Sequence, residues 1–214
     1  RTAYEWQKNL LDAILAVNDE SLWVHMKFGF SVPRQNGKNE VVAMRELIGL
    51  EKGERILHTA HRTTTSGTAF NRLLSIMEDI GLEEGKQYTK IKAIGRESIV
   101  MANGGKIDFR TRTTTGGLGE SFDLLVIDEA QEYTDDQESA LKYTIAASPN
   151  PQTILIGTPP TPISSGTVFT NLRNATLEGN NEDVGWAEWS VEEESDVRDV
   201  ELWYQTNPSL GLRL

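Results

Sequence analysis

An apolar run, Phe28-Gly29-Phe30-Ser31-Val32, enters a tight turn that ends in Gly37-Lys38 and leads into a segment suited to a helix. A strand that breaks and restarts as a helix leaves the backbone N–H groups of the first helical turn without partners. Glycine lets the backbone come close to whatever fills that gap, and an adjacent lysine makes phosphate the fitting occupant. In the pattern G-x-x-x-x-G-K-[ST], Gly37 and Lys38 fit, whereas Val32 stands at the first glycine and Asn39 at the hydroxyl position. Asn39 still offers a hard oxygen to Mg²⁺. A plain strand-turn-helix connection competes with this reading.

A second run, Leu124-Leu125-Val126-Ile127, ends in Asp128-Glu129. Four consecutive apolar residues describe a strand buried on both faces, as in a parallel sheet covered by helices. Its acidic end suits Asp128 to hold Mg²⁺ and Glu129 to polarise an attacking water. A third run, Thr153-Ile154-Leu155-Ile156-Gly157, ends at Thr158. Ligands of parallel sheets lie beyond the carboxyl ends of the strands, which would set Thr158 beside a γ-phosphate with Lys38 and Asp128.

The remaining pattern is that of an α/β fold. The apolar spacing predicts an amphipathic helix over about 4–17 and a helix from Asn39 to about Leu50, then a strand over 55–60. Ala69, Phe70, Leu73, Leu74, Met77 and Ile80 share one face of a further helix stopped by Gly81. Strands over about 97–102 and 106–111 flank Asn103-Gly104-Gly105 as a hairpin. A last strand is expected over 186–191 and a helix from about Asp196, with Trp203 and Tyr204 packing a small lid onto the core.

Four of these stretches together resemble the ATPase motor domain of the large terminase subunit of tailed phages. They are Trp6-Gln7, Arg34-Gln35-Asn36-Gly37-Lys38, Leu125-Val126-Ile127-Asp128-Glu129-Ala130 and Gly157-Thr158-Pro159, in the family's order. The resemblance implies a RecA-like P-loop NTPase core of the ASCE type at 1–192, its mainly parallel sheet lying between helices. A lid or linker segment would begin at 193–214. It implies that ATP and Mg²⁺ are bound, with Gln7 reading the adenine edge and Arg34, Gln35, Asn36, Gly37, Lys38 and Asn39 around the phosphates. Asp128 and Asn39 would hold the metal, Glu129 would activate water and Thr158 would couple hydrolysis to motion. The expected partners are double-stranded viral DNA, the portal protein, a small terminase subunit and further copies in a ring. The expected location is the host cytoplasm, transiently docked on the procapsid.

The family's Arg-Gly pair, whose arginine serves a neighbouring subunit, has no counterpart in Thr113–Ser121. Arg110 and Arg112 lie upstream, and Arg112 is the nearer candidate for a finger given in trans. The chain starts at Arg1 and reaches Asn207-Pro208 without the carboxylate cluster of the family's nuclease domain, so the expectation is a motor domain without DNA cleavage. A helicase-type ATPase and a non-catalytic nucleotide fold used for assembly remain as alternatives.

Composition sets the outer bounds. With 214 residues, 38% of them hydrophobic, the chain can bury one sizeable core, and the absence of cysteine excludes disulfides and thiolate metal sites. No apolar run reaches the roughly 20 residues of a membrane span, and His58 and His61 lack a third metal ligand. The net charge of −11 is unevenly spread. Residues 182–201 hold nine acids against Arg198 alone, whereas 86–112 hold Lys86, Lys90, Lys92, Arg96, Lys106, Arg110 and Arg112 against Glu97 and Asp108. The basic stretch reads either as a solvated face or as a rim for DNA.

Overall fold

The computed structural model describes residues 3–112, 119–179, 182–191 and 195–212. Helix α1 (Glu5–Ile14) precedes strand β1 (Lys27–Ser31), which feeds α2 (Lys38–Glu51), β2 (Arg55–Ala60) and α3 (Thr63–Asp79). Three further strands, β3 (Tyr88–Ile91), β4 (Glu97–Met101) and β5 (Lys106–Thr111), lead to β6 (Leu124–Ile127). After α4 (Asp135–Leu141) come β7 (Gln152–Gly157), α5 (Val168–Leu177), β8 (Val184–Glu188) and α6 (Val200–Thr206).

The strands form one sheet in the order β3-β4-β5-β2-β6-β7-β1-β8. From β5 to β8 every neighbouring pair is parallel, and β4 and β3 extend the sheet as antiparallel strands. Side chains alternate across the pleat, so one strand serves two cores. Leu124 and Val126 face a cluster with Leu10, Val41, Phe70 and Leu73 from α1, α2 and α3. Leu125 and Ile127 face the other side, with Leu141, Phe169 and Leu172 from α4 and α5. This double burial is why the run contains no polar residue. Close packing also dictates Gly29, where an added Cβ would lie 2.5 Å from the Trp186 ring.

Several boundaries differ from those read in the sequence. The first helix stops at Ile14 instead of continuing to 17, because Asn18 Oδ1 accepts from the N–H groups of Glu20 and Leu22 and turns the chain. Val17 then pairs with Trp23 in an isolated bridge. The last strand lies at Val184–Glu188, two residues earlier than expected, because Gly185 lets the Phe28 ring of β1 lie across it. Helix α6 starts at Val200 because Asp199 caps it through the Glu201 N–H, while Asp196 binds Arg198 outside the helix. Trp203 and Tyr204 are exposed, so neither packs a lid onto the core. The hairpin and the stop of α3 match expectation: Gly81 and Gly104 both adopt positive φ.

At the edge of the sheet away from the carboxyl ends of its parallel strands, Arg45 is wholly buried. Its guanidinium donates to both carboxylate oxygens of Glu54 and to Gln152 Oε1, and Gln152 in turn donates to the carbonyls of Ile14 and His25. One charge therefore joins α2, the start of β2, the start of β7 and the end of α1. Arg45→Ala should cost about 3–5 kcal/mol, because Glu54 and Gln152 lose their partner inside the protein. Chemical denaturation measures this, and a loss below about 1 kcal/mol would show that the network relaxes.

Candidate functional site

The carboxyl ends of β1, β6 and β7 lie side by side, with β7 between the other two. The turn after β1 is anchored by the Val32 N–H on the Gly157 carbonyl, at 3.1 Å. Gln35 and Gly37 both take left-handed conformations, with φ of 67° and 87°. For Gln35 that costs about 1 kcal/mol, strain of a kind that collects at functional sites. Gly37 is the N-cap of α2, and no side chain caps this helix end. The helix therefore presents uncapped N–H groups and the positive end of its dipole at Lys38. Lys38 makes no hydrogen bond or ion pair among the described residues, and it lines a cleft of ≈ 280 Å³ with Gln35, Gly37, Asn39, His58 and Arg72.

Asp128 is fully buried. Its Oδ2 accepts from Asn39 Nδ2 at 3.0 Å and its Oδ1 from the Glu129 N–H at 2.8 Å. The first contact joins the phosphate-type turn directly to the acidic strand end. Glu129 is left-handed, with φ 55°, and its Oε2 is buried without a partner. Gln131 bridges to the third strand end, its Oε1 accepting from the Thr158 N–H at 3.3 Å. Only the packing of β6 against β7 gives Gln131, two residues beyond Glu129, this task. The cleft walls do not include Glu129 or Thr158.

Other assignments change. Arg112, expected to serve a neighbouring subunit, is buried within its own chain. Its guanidinium donates to the carbonyls of Thr59, Asp128 and Glu129 and lies over the Tyr133 ring. It holds the strained acidic turn in place and is not available to a partner. Burial pulls it below its usual pKa, to about 10, against the opposing charge of Asp128, so it stays charged at neutral pH. The neighbouring stretch 113–118, where an Arg-Gly pair was sought, lies outside the described residues.

Gln7 is buried, with Oε1 accepting from the Tyr4 N–H and Nε2 donating to the Gly37 carbonyl at 3.1 Å. Its amide supports the turn, and an adenine would have to share these atoms. Asn36 also faces inward, its Nδ2 donating to the carbonyls of Pro33 and Arg34. Arg34 is exposed, and its side chain makes no hydrogen bond or ion pair among the described residues.

The basic stretch is mostly self-neutralised. Lys86 pairs with Glu83, Lys90 with Glu84, Lys106 with Asp108, and Arg110 with Glu120. Arg112 donates to backbone carbonyls instead, and among the described residues the remaining two of the seven cations, Lys92 and Arg96, make no ion pair. They sit in the exposed β3–β4 turn with Ile91 and Ile94. Within the acidic stretch, Arg173, helped by Trp186 and Ser190, holds Glu188 down to about 2.

For His58, with no third metal ligand, the sequence favours packing or hydrogen bonding at a strand end, and the structure shows both. It is buried on β2, with Nδ1 2.6 Å from Glu46 and Nε2 4.0 Å from Asp128 Oδ2. Burial opposes the charged ring, but Glu46 and Asp128 outweigh it, and the pKa is raised above 6.5. A raised folded-state value stabilises the fold fully below the unfolded pKa of about 6.5, and the gain is lost as pH rises through the folded value. Thermal midpoints should therefore fall over this window in the wild type and change less in His58→Leu/Glu46→Leu, which removes the pair together. Parallel pH profiles would remove the charged pairing.

The turn, the acidic strand end and the intervening strand stand at one edge of a mainly parallel sheet between helices, the RecA-like α/β fold. No protein-family profile matches the chain, and no curated protein does. Solved structures do match. The HK97 bacteriophage large terminase superposes with a TM-score of 0.84 at 17% identity, covering 100% of this chain and 45% of that one. The large terminase from a thermophilic bacteriophage, in complex with ADP, gives 0.64 at 10% identity over 86% of this chain and 44% of that one. The ATPase domain of the Thermus phage P74-26 large terminase gives 0.54 at 17% identity over 96% and 97%. The chain thus has the fold of phage large terminase ATPase domains and spans less than half of the first two of these proteins.

Proposed function

We propose that this chain binds ATP with Mg²⁺ and hydrolyses it to drive double-stranded viral DNA into a capsid. The observation that carries this is the Asn39–Asp128 hydrogen bond, which joins an uncapped helix start bearing Lys38 to an acidic turn bearing Glu129. The ADP held by the thermophilic phage's large terminase supports a nucleotide here.

In this mechanism the N–H groups at the start of α2 and the Lys38 ammonium hold phosphate oxygens. Asp128 and Asn39 would supply hard oxygens to Mg²⁺, whose charge would offset that of the phosphates. Among the described residues no three His, Cys, Asp or Glu cluster as a metal site, so phosphate and water would complete the ligand set. Glu129, with one carboxylate oxygen unpartnered, orients and deprotonates the attacking water. Arg112 keeps the Asp128-Glu129 turn in its strained form. Gln131 relays changes at that turn to Thr158.

The motor would act in the host cytoplasm, docked transiently on a procapsid through the portal protein. It would work as a ring of copies, with a small terminase subunit delivering DNA. No helix among the described residues is long and apolar enough to cross a membrane. A finger in trans would have to come from an arginine other than Arg112, and exposed Arg34 is the available cation of the turn.

Phosphate release tests the chemistry. Lys38→Ala should lower turnover at least about 10²-fold and weaken nucleotide binding. Glu129→Gln should lower turnover by about 10²–10⁴-fold while nucleotide still binds. Wild-type turnover in both variants would remove Lys38 and Glu129 from the chemistry, and no phosphate release from the unmutated chain would leave a nucleotide fold without catalysis. For DNA, Lys92→Glu/Arg96→Glu should weaken binding by the assembled motor and reduce the salt slope by about 2. Unchanged affinity and slope would return the β3–β4 turn to a solvated surface.

A further inference from the structure

The turn after α6 reaches back across the whole chain to the phosphate-type turn. Ser209 is wholly buried. Its Oγ donates to the Asn36 carbonyl at 2.7 Å and accepts from Trp6 Nε1 at 3.1 Å. Its N–H donates to Asn36 Oδ1 at 3.0 Å, and Asn36 Nδ2 donates to Asn207 Oδ1 at 3.1 Å. Asn207 itself caps the end of α6 through the Trp203 carbonyl. Gln7 Nε2 holds the next carbonyl, that of Gly37.

These contacts have a directional consequence. In a planar trans peptide the C=O and the following N–H point in opposite directions. Fixing the Asn36 carbonyl on Ser209 turns the Gly37 N–H away from Ser209, and fixing the Gly37 carbonyl on Gln7 turns the Lys38 N–H away from Gln7. Two successive donors are thereby aimed by groups lying 30 and 173 residues away in sequence. Such preset donors favour an anion because no reorganisation is needed when it arrives.

We propose that Ser209, supported by Asn207, is a positioning residue for nucleotide phosphate, acting through Asn36 to preset the Gly37 N–H. The proposal rests on the nucleotide reading above. The segment following α6 is then part of the nucleotide site, and phosphate binding tightens it from the other end. Ser209→Ala removes the Oγ contacts but keeps the backbone N–H on Asn36. Tyr4→Phe disturbs the same turn, where the Tyr4 hydroxyl donates to the Leu212 carbonyl, without touching Asn36.

The test uses ADP and a non-hydrolysable ATP analogue on the whole chain. Ser209→Ala should weaken their binding about tenfold, equivalent to about 1.4 kcal/mol, while Tyr4→Phe binds as wild type. Hydrogen exchange on the unmutated protein supplies a readout independent of any variant. Added ADP should slow exchange in residues 205–212 together with residues 33–40. Wild-type affinity in Ser209→Ala overturns the proposal, as does protection of 33–40 with 205–212 unchanged. Should ADP protect neither segment at saturating concentration, the nucleotide reading falls and takes this proposal with it. If Ser209→Ala does not fold, Asn207→Ala carries the same affinity measurement, and the exchange experiment stands unaltered.

Discussion

A fully buried carboxylate, that of Asp128, sets the terms for the rest of the site. An ionised carboxylate inside a protein is costly unless charges and donors surround it. Here Asn39 and the Glu129 N–H each take one oxygen, His58 approaches the Asn39-bonded oxygen, and Arg112 lies against the residue's own carbonyl. Each partner comes from a different stretch: the start of α2, the acidic turn, β2 and the end of β5. Holding one charge therefore fixes the relative positions of four elements.

Backbone strain is held in the same way. Gln35, Gly37 and Glu129 all adopt left-handed conformations within the two turns that meet at the site. Such conformations persist only where surrounding contacts determine them. Arg112 clasps the carbonyls around Glu129, while Gln7 and Ser209 hold those around Gly37. Among the described residues the Lys38 ammonium and one carboxylate oxygen of Glu129 are left without a partner, while the groups that hold the turns face inward.

The particular placements explain what could be read early. Gly37-Lys38, Asp128-Glu129 and Gly157-Thr158 were legible because each ends an apolar run, and parallel strands bring such ends to one edge. The hairpin at Asn103-Gly104-Gly105 and the stop at Gly81 were legible from glycine alone. Arg112 was read as a finger for a neighbouring subunit, since a strand-end arginine carries no local sign of burial. Gln7 and Asn36 were read as ligand contacts because their amides suit both tasks, and the choice depends on which atoms approach them. The charge run over 86–112 looked like a basic rim because its acidic partners, Glu83, Glu84 and Glu120, lie outside that window.

The sequence by itself determined the alternation of strands and helices, the two-faced burial of the central strands and the chemistry at their ends. Those properties follow from the order of apolar, glycine and charged residues along short stretches. Only the tertiary structure decided which polar atoms hold the site together and which remain for a ligand. Hydrogen bonds such as Asn36 to Asn207 and Ser209 join residues more than 170 positions apart. Nothing in the local pattern of either segment encodes such a contact; it exists because the sheet order and helix packing bring the end of the chain beside its first turn.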